Sequence, residues 1–203
     1  MWLNVQFPVV LNKKWQWHND ASYRTLGSSI APLQYEYRTG IRYNINTAWS
    51  AAAGTAFFFT RTTFLKQNNE FAKEFRFWEE VTFKKDVVNS LQSLSRLRIE
   101  QRSFAATTSK SAYHAFRYRI RTQLQQQLNK HWALQLADEH MQQSINNSLA
   151  FDQNRLIVNV AYLLPQQLTV TIGYMWVKRP ANISQHILNI SFQKTLSFYA
   201  KHQ

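Results

Sequence analysis

The residues of this chain best suited to chemistry are arginines and glutamates spaced two apart. Arg96, Arg98, Glu100 and Arg102 form one run, and Arg117, Arg119 and Arg121 form another. A guanidinium group is a permanently charged planar fork that grips carboxylates or phosphates through parallel hydrogen bonds. As the two sides of a hairpin, these runs set several forks against few carboxylates. Glu36, Glu74, Glu80 and Glu139 can bridge to them from other segments, while Arg38, Arg42, Arg76 and Arg155 add to the basic surplus. Two outcomes are open to such a network. It is either a salt-bridge ladder that fills and stiffens a narrow lumen, or an electropositive pore or pocket that favours small anions, as rings of arginine do.

The elements that position these residues follow from their spacing. Successive side chains on a β-strand point to opposite faces, so a period of two means strand. Eleven segments show it: 3–12, 14–24, 34–45, 49–60, 74–83, 93–103, 115–125, 132–141, 153–163, 168–178 and 185–198. Each is about ten residues long, the length of a tilted strand that crosses a bilayer. The links alternate in length, with shorter ones at 12–13, 46–47, 84–89, 126–131 and 165–167. Longer ones lie at 25–33, 61–73, 104–114, 142–152 and 179–184. Short turns at one end and longer loops at the other are the pattern of an outer-membrane barrel. The expected fold is all-β: a single domain over 1–203, an antiparallel up-and-down transmembrane β-barrel of 10–12 strands. An even count is normal for bacterial barrels, so twelve is favoured, with one strand lying before Met1.

The two faces of these strands differ sharply. Leu3, Val5 and Phe7, Trp15 and Trp17, Tyr35, Tyr37, Phe75, Phe77, Leu97 and Ile99 share one face, and the Arg/Glu set shares the other. The aromatic face is too bulky to fill the inside of a small barrel. Turned outward it meets lipid, and the charges line the lumen. Glu79, Asp138 and His140 fall on the lipid side by strict alternation. Small residues on the lumen side, among them Gly40, Gly54 and Gly173, make room for long arginine side chains. The formal charge of +13 is spread singly along strands and paired with Glu, which argues against a nucleic-acid surface. The chain has no cysteine, which fits passage through an oxidising periplasm. No apolar run reaches the ~20 residues of a transmembrane helix. Met1 leads straight into Trp2-Leu3-Asn4-Val5 with no basic stretch and apolar core before it, as in a mature chain whose export signal has been removed.

No catalytic residue, cofactor or metal ligand set is assigned. His114, His140 and His186 lie near the loop end with Ser103, Ser111, Ser144 and Ser184. They leave open a lipid-modifying outer-membrane enzyme with rim His/Ser chemistry. A soluble basic barrel that binds an acidic partner is the other alternative. The expected partner is the lipid bilayer of the bacterial outer membrane, with small anions as ligands of the lumen.

Five segments carry a family resemblance: Glu74-Phe75-Arg76-Phe77-Trp78-Glu79, Arg96-Leu97-Arg98-Ile99-Glu100-Gln101-Arg102, Phe116-Arg117-Tyr118-Arg119, Phe151-Asp152-Gln153-Asn154-Arg155 and Gly173-Tyr174-Met175. In this order they resemble a family of bacterial outer-membrane proteins known as domain of unknown function 2490, over nearly the whole chain. The resemblance implies an outer-membrane β-barrel of Gram-negative bacteria, of the Bacteroidetes type. It implies no activity.

Overall fold

The structure is a computed structural model that describes residues 1–27, 30–62 and 70–198. Its strands are β1 (Trp2–Gln6), β2 (Val9–Val10), β3 (Trp15–Thr25), β4 (Pro32–Asn44), β5 (Trp49–Arg61), β6 (Phe71–Val88) and β7 (Leu91–Phe104). The series continues with β8 (Tyr113–Gln127), β9 (Trp132–Ile145), β10 (Ser148–Leu164), β11 (Leu168–Lys178), β12 (Ser184–Lys194) and β13 (Leu196–Ser197). A single 3-10 turn, Pro180–Asn182, links β11 to β12. From β3 to β12 each strand pairs antiparallel with the next.

The sheet closes on itself. β1 and β2 both pair antiparallel with β3, so together they form one broken strand. β12 runs parallel to β1, with Leu3 opposite Ile190 and Val5 opposite Phe192, and β13 runs parallel to β2. Counted this way, the barrel has eleven staves, not the favoured twelve. The reason is directional. The chain starts at the loop end and finishes at the turn end, so its first and last staves point the same way and can only pair parallel. The break between β1 and β2 falls at Pro8, which has no N–H to give to a ladder. Its carbonyl oxygen instead accepts a bond from the Leu196 amide at 2.8 Å.

Three turns at one end are built alike. Asn12, Asn46 and Asn129 each accept, on the side-chain oxygen, the amides two and three residues on, at 2.7 to 3.0 Å. These Asx turns all deliver a tryptophan to the start of the next strand. Trp15, Trp49 and Trp132 then meet Tyr43, Phe83 and Tyr162 across the sheet, at ring separations of 4.7, 4.7 and 4.6 Å. The result is an outward aromatic girdle at the turn end.

The loop end departs from expectation at one point. The link expected over 142–152 is a two-residue hairpin, Asn146-Asn147, with φ of 49° and 64°. Left-handed backbone at both positions is the geometry of a tight hairpin turn, and asparagine tolerates it. β9 and β10 therefore reach further than their hydrophobic pattern indicated. A register shift between Phe151 and Gln153 lies just beyond.

Burial along β6 inverts the pattern of a soluble sheet. Glu74, Arg76, Trp78, Glu80 and Thr82 are buried, while Phe75, Phe77, Glu79 and Val81 between them are exposed. Apolar rings and aliphatic chains cover the outside and charges fill the inside.

Candidate functional site

The interior is a lattice of ion pairs organised around three glutamates. Glu80 on β6 reaches Arg98 at 2.5 Å, Arg42 at 3.0 Å and Arg96 at 3.7 Å. Glu100 on β7 reaches Arg119 at 2.5 Å, Arg76 at 3.0 Å, Arg98 at 3.8 Å and Arg117 at 3.9 Å. Glu139 on β9 reaches Arg96 at 2.7 Å, Arg119 at 2.8 Å and Arg155 at 3.3 Å. Arg96, Arg98 and Arg119 each bridge two of these glutamates, so the set forms one continuous belt across the lumen. Toward the loop end, Glu74 holds Arg102 at 2.5 Å and Arg76 at 2.6 Å. On the facing wall Arg38 meets Asp20 at 2.8 Å, and Arg24 meets Glu36.

The register explains the sharing. Arg96 pairs with Arg121, Arg98 with Arg119 and Glu100 with Arg117 across β7–β8. Like charges thus lie directly opposite each other at two of three levels, an arrangement that costs energy unless other strands supply carboxylates. Glu80 from β6 and Glu139 from β9 do so from either side. Each carboxylate must satisfy several forks because the forks outnumber them.

All fifteen residues of the expected network face the interior: Glu36, Arg38, Arg42, Glu74, Arg76, Glu80, Arg96, Arg98, Glu100, Arg102, Arg117, Arg119, Arg121, Glu139 and Arg155. Fourteen make ion pairs. Arg121 has no carboxylate within reach among the described residues and bonds Gln123 at 2.6 Å. The expected network omits Arg24, Asp20 and Asp152, although alternation already puts Asp20 on the inward face. The alternation that turns Tyr23 outward already turned Arg24 inward. Asp152, 2.8 Å from Arg117, was hidden by the register shift beside it.

The inner wall also carries aromatic rings, which the sequence reading did not place. Trp78 and Phe58 pack with Ala52 and Ala56. The Trp78 indole lies over Gly40 and Gly54, where any Cβ would strike it. These glycines make room for an aromatic ring, not for arginine chains, and Gly173 makes room for Asn159. Guanidiniums stack on the rings: Arg76 over Phe58 at 3.6 Å, Arg24 over Trp2 at 4.1 Å and Arg98 over Trp78 at 4.8 Å.

Above the belt the lumen opens into a cavity of about 760 Å³. It runs from Arg61, Thr107, Lys110 and Arg179 at the loop end down to Arg98, Glu100 and Arg119. Eleven Arg and Lys side chains line it, against the three carboxylates of Glu36, Glu74 and Glu100. Glu80, Glu139, Arg96 and Arg121 lie on the turn side of this floor.

The outward polar residues are separate from the lumen. Glu79 and Asp138 are exposed on the outer face, and His140 stacks on Phe151 at 5.6 Å. Of the rim histidines, His114 Nδ1 lies 3.1 Å from Ser103 Oγ, and His186 Nδ1 lies 2.6 Å from the Tyr174 hydroxyl. No carboxylate bonds His114 among the described residues, so the Ser103–His114 pair lacks the third member that orients a catalytic histidine. Among the described residues no group of three or more His, Asp or Glu is placed to hold a metal ion.

No curated protein matches the chain. The chain belongs to the family described as protein of unknown function (DUF2490), whose profile it matches over residues 1–185.

Proposed function

We propose that this barrel spans the outer membrane of a Gram-negative bacterium, receives small anions from its loop side, and is closed toward its turn side by the Arg/Glu belt. The observation that carries the reading is the cavity, where eleven cationic side chains face three carboxylates above a floor of shared ion pairs. Eight of these cations share carboxylates with their neighbours, but buried arginines outnumber the carboxylates; an excess of buried charge is costly and is relieved by anions that enter with the solvent.

The exterior supports the membrane setting. Aromatic and aliphatic side chains stand outward on every long stave, and the Trp15, Trp49 and Trp132 pairs form a girdle of the kind that sits at a membrane–water interface. Short turns face the periplasm in such barrels and longer loops face outward, so the cavity opens to the cell exterior. The belt favours a receptor over an open pore, because Glu80, Arg98, Glu100 and Glu139 are nearly solvent-free.

Reconstitution into planar bilayers tests this directly. The intact protein is expected to show little steady conductance, and any residual current is expected to be anion-selective. A large, stable, cation-selective current would overturn the reading, as would a monomer that stays in solution without detergent.

A further inference from the structure

We infer that the loop-side cavity binds a compact organic solute carrying two or more phosphate groups. The inference rests on the anion-receiving reading above and adds the class of ligand.

The first ground is the construction of the wall. Arg155 lies 5.2 Å from the Trp2 ring, Arg24 covers the same ring at 4.1 Å, and Phe58 stands between Arg24 at 6.0 Å and Arg76 at 3.6 Å. Guanidiniums and rings thus alternate along one side of the cavity. A ring face steadies a guanidinium without cancelling its charge, in contrast to a carboxylate. The Nε atoms of Arg24 and Arg155, on the two guanidiniums that flank Trp2, are buried and make no hydrogen bond. Buried donors of this kind call for acceptors.

The second ground is the amount of charge. Ten inward arginines share the seven carboxylates of Asp20, Glu36, Glu74, Glu80, Glu100, Glu139 and Asp152, so the ion pairs leave a positive surplus to be balanced from solution. A phosphate monoester brings nearly two charges and three acceptor oxygens, so a few phosphates on one scaffold meet a demand that one simple anion cannot. The third ground is volume. At about 760 Å³ the cavity falls in the range of sites for organic ligands, far larger than one inorganic phosphate needs. The rim residues Lys110 and Arg179 make no ion pair among the described residues and can draw an anion inward. Because the cavity opens inside the ring of staves, a solute reaches it and a bilayer lipid does not.

Titration calorimetry on the full chain in detergent micelles separates the outcomes, with orthophosphate, pyrophosphate and myo-inositol hexakisphosphate as probes. Affinity is expected to rise from orthophosphate to pyrophosphate and again to the hexakisphosphate, by about a hundredfold overall through multivalency. Arg155→Gln is expected to weaken the hexakisphosphate about tenfold. A Lys110→Gln, Arg179→Gln double variant at the solvent-exposed rim is expected to weaken it severalfold with an unchanged unfolding temperature, so the test survives if Arg155→Gln does not fold. Equal affinity for all three probes would overturn the polyphosphate class and leave the anion reading standing. Absence of binding by any probe removes both. Binding that is indifferent to both variants places the ligand outside this cavity and overturns the inference.

Discussion

At the scale of single residues, the same side chain serves opposite ends depending on the face it occupies. Glu139 is 1% exposed and shared by three arginines. Replacing it by glutamine leaves those guanidiniums facing one another with no common counter-charge, a change that costs about 3–5 kcal/mol when a buried pair is broken. Glu79, one position before the belt residue Glu80, points outward between Ala53 and Ile99. Glu79→Gln is expected to leave stability within about 0.5 kcal/mol of the parent or to raise it in a bilayer. Unfolding midpoints in micelles and in liposomes compare the two variants, and greater damage from Glu79→Gln means that the two faces are assigned backwards. Outside the staves, Glu70 accepts the Thr108 amide at 3.1 Å and the Thr108 hydroxyl at 2.8 Å, and Thr62 bonds it from its own loop at 3.2 Å. These donors, the Thr108 amide first, hold its carboxyl below the usual range. A depressed value means that the tie between the two loops is present above the ordinary carboxylate range and is lost as pH falls through the depressed value. The Thr108 amide resonance should therefore titrate on the acid side of the ordinary carboxylate range and stop doing so in Glu70→Gln; a flat profile in the parent protein rules the tie out.

At the scale of elements, two local devices hold the staves in register. The leucine- or isoleucine-preceded Asn-x-x-Trp turns at Asn12, Asn46 and Asn129 were fully legible as a repeat, since asparagine is the residue that bonds backbone amides two and three positions on. Asn46→Ala removes the acceptor of the Ala48 and Trp49 amides and should lower stability by about 1 kcal/mol, read as a shift in the denaturant midpoint with an unchanged slope. The second device is the close contact of β4, β5 and β6, where Gly40 and Gly54 lie opposite each other beneath Trp78. Gly40→Ala drives a methyl group into the indole and the Ala53 carbonyl and should cost about 1–3 kcal/mol by overpacking. If Gly40→Ala unfolds at the same midpoint as the parent, Trp78 does not rest on that wall. Glycine on an inward strand position signalled a close approach in the sequence. What approached was not signalled, because spacing within one strand does not say which side chain of the facing stave, or for Gly40 of the stave beyond it, comes to rest there.

At the scale of the whole molecule, closure is the decisive event. An odd number of staves forces a parallel seam, and this one is short, with β1–β12 and β2–β13 separated by Pro8 and Thr195. The seam can be tested because the chain has no cysteine of its own. Leu3→Cys combined with Ile190→Cys places two thiols opposite each other, at a separation a disulfide can span. Oxidation should cross-link them within one chain, seen as a mobility shift reversed by reductant. Failure of this pair with success of one displaced in register would mean a different closure.

Much of this architecture follows from the order of residues alone. Alternation determined the staves, their two faces and the inward set of arginines and glutamates, because side-chain direction on a strand is a local consequence of backbone geometry. Link lengths distinguished the two ends, apart from the Asn146-Asn147 hairpin, where polar residues around a tight turn read as a longer loop. Tertiary structure alone decided the number of staves, since parity and closure depend on where the first and last strands meet in space. It also decided that each glutamate serves several arginines, and that the cavity ends on Glu100 and Arg119. Sequence spacing reports which way a side chain points; how many others converge on the same point is a property of the closed barrel.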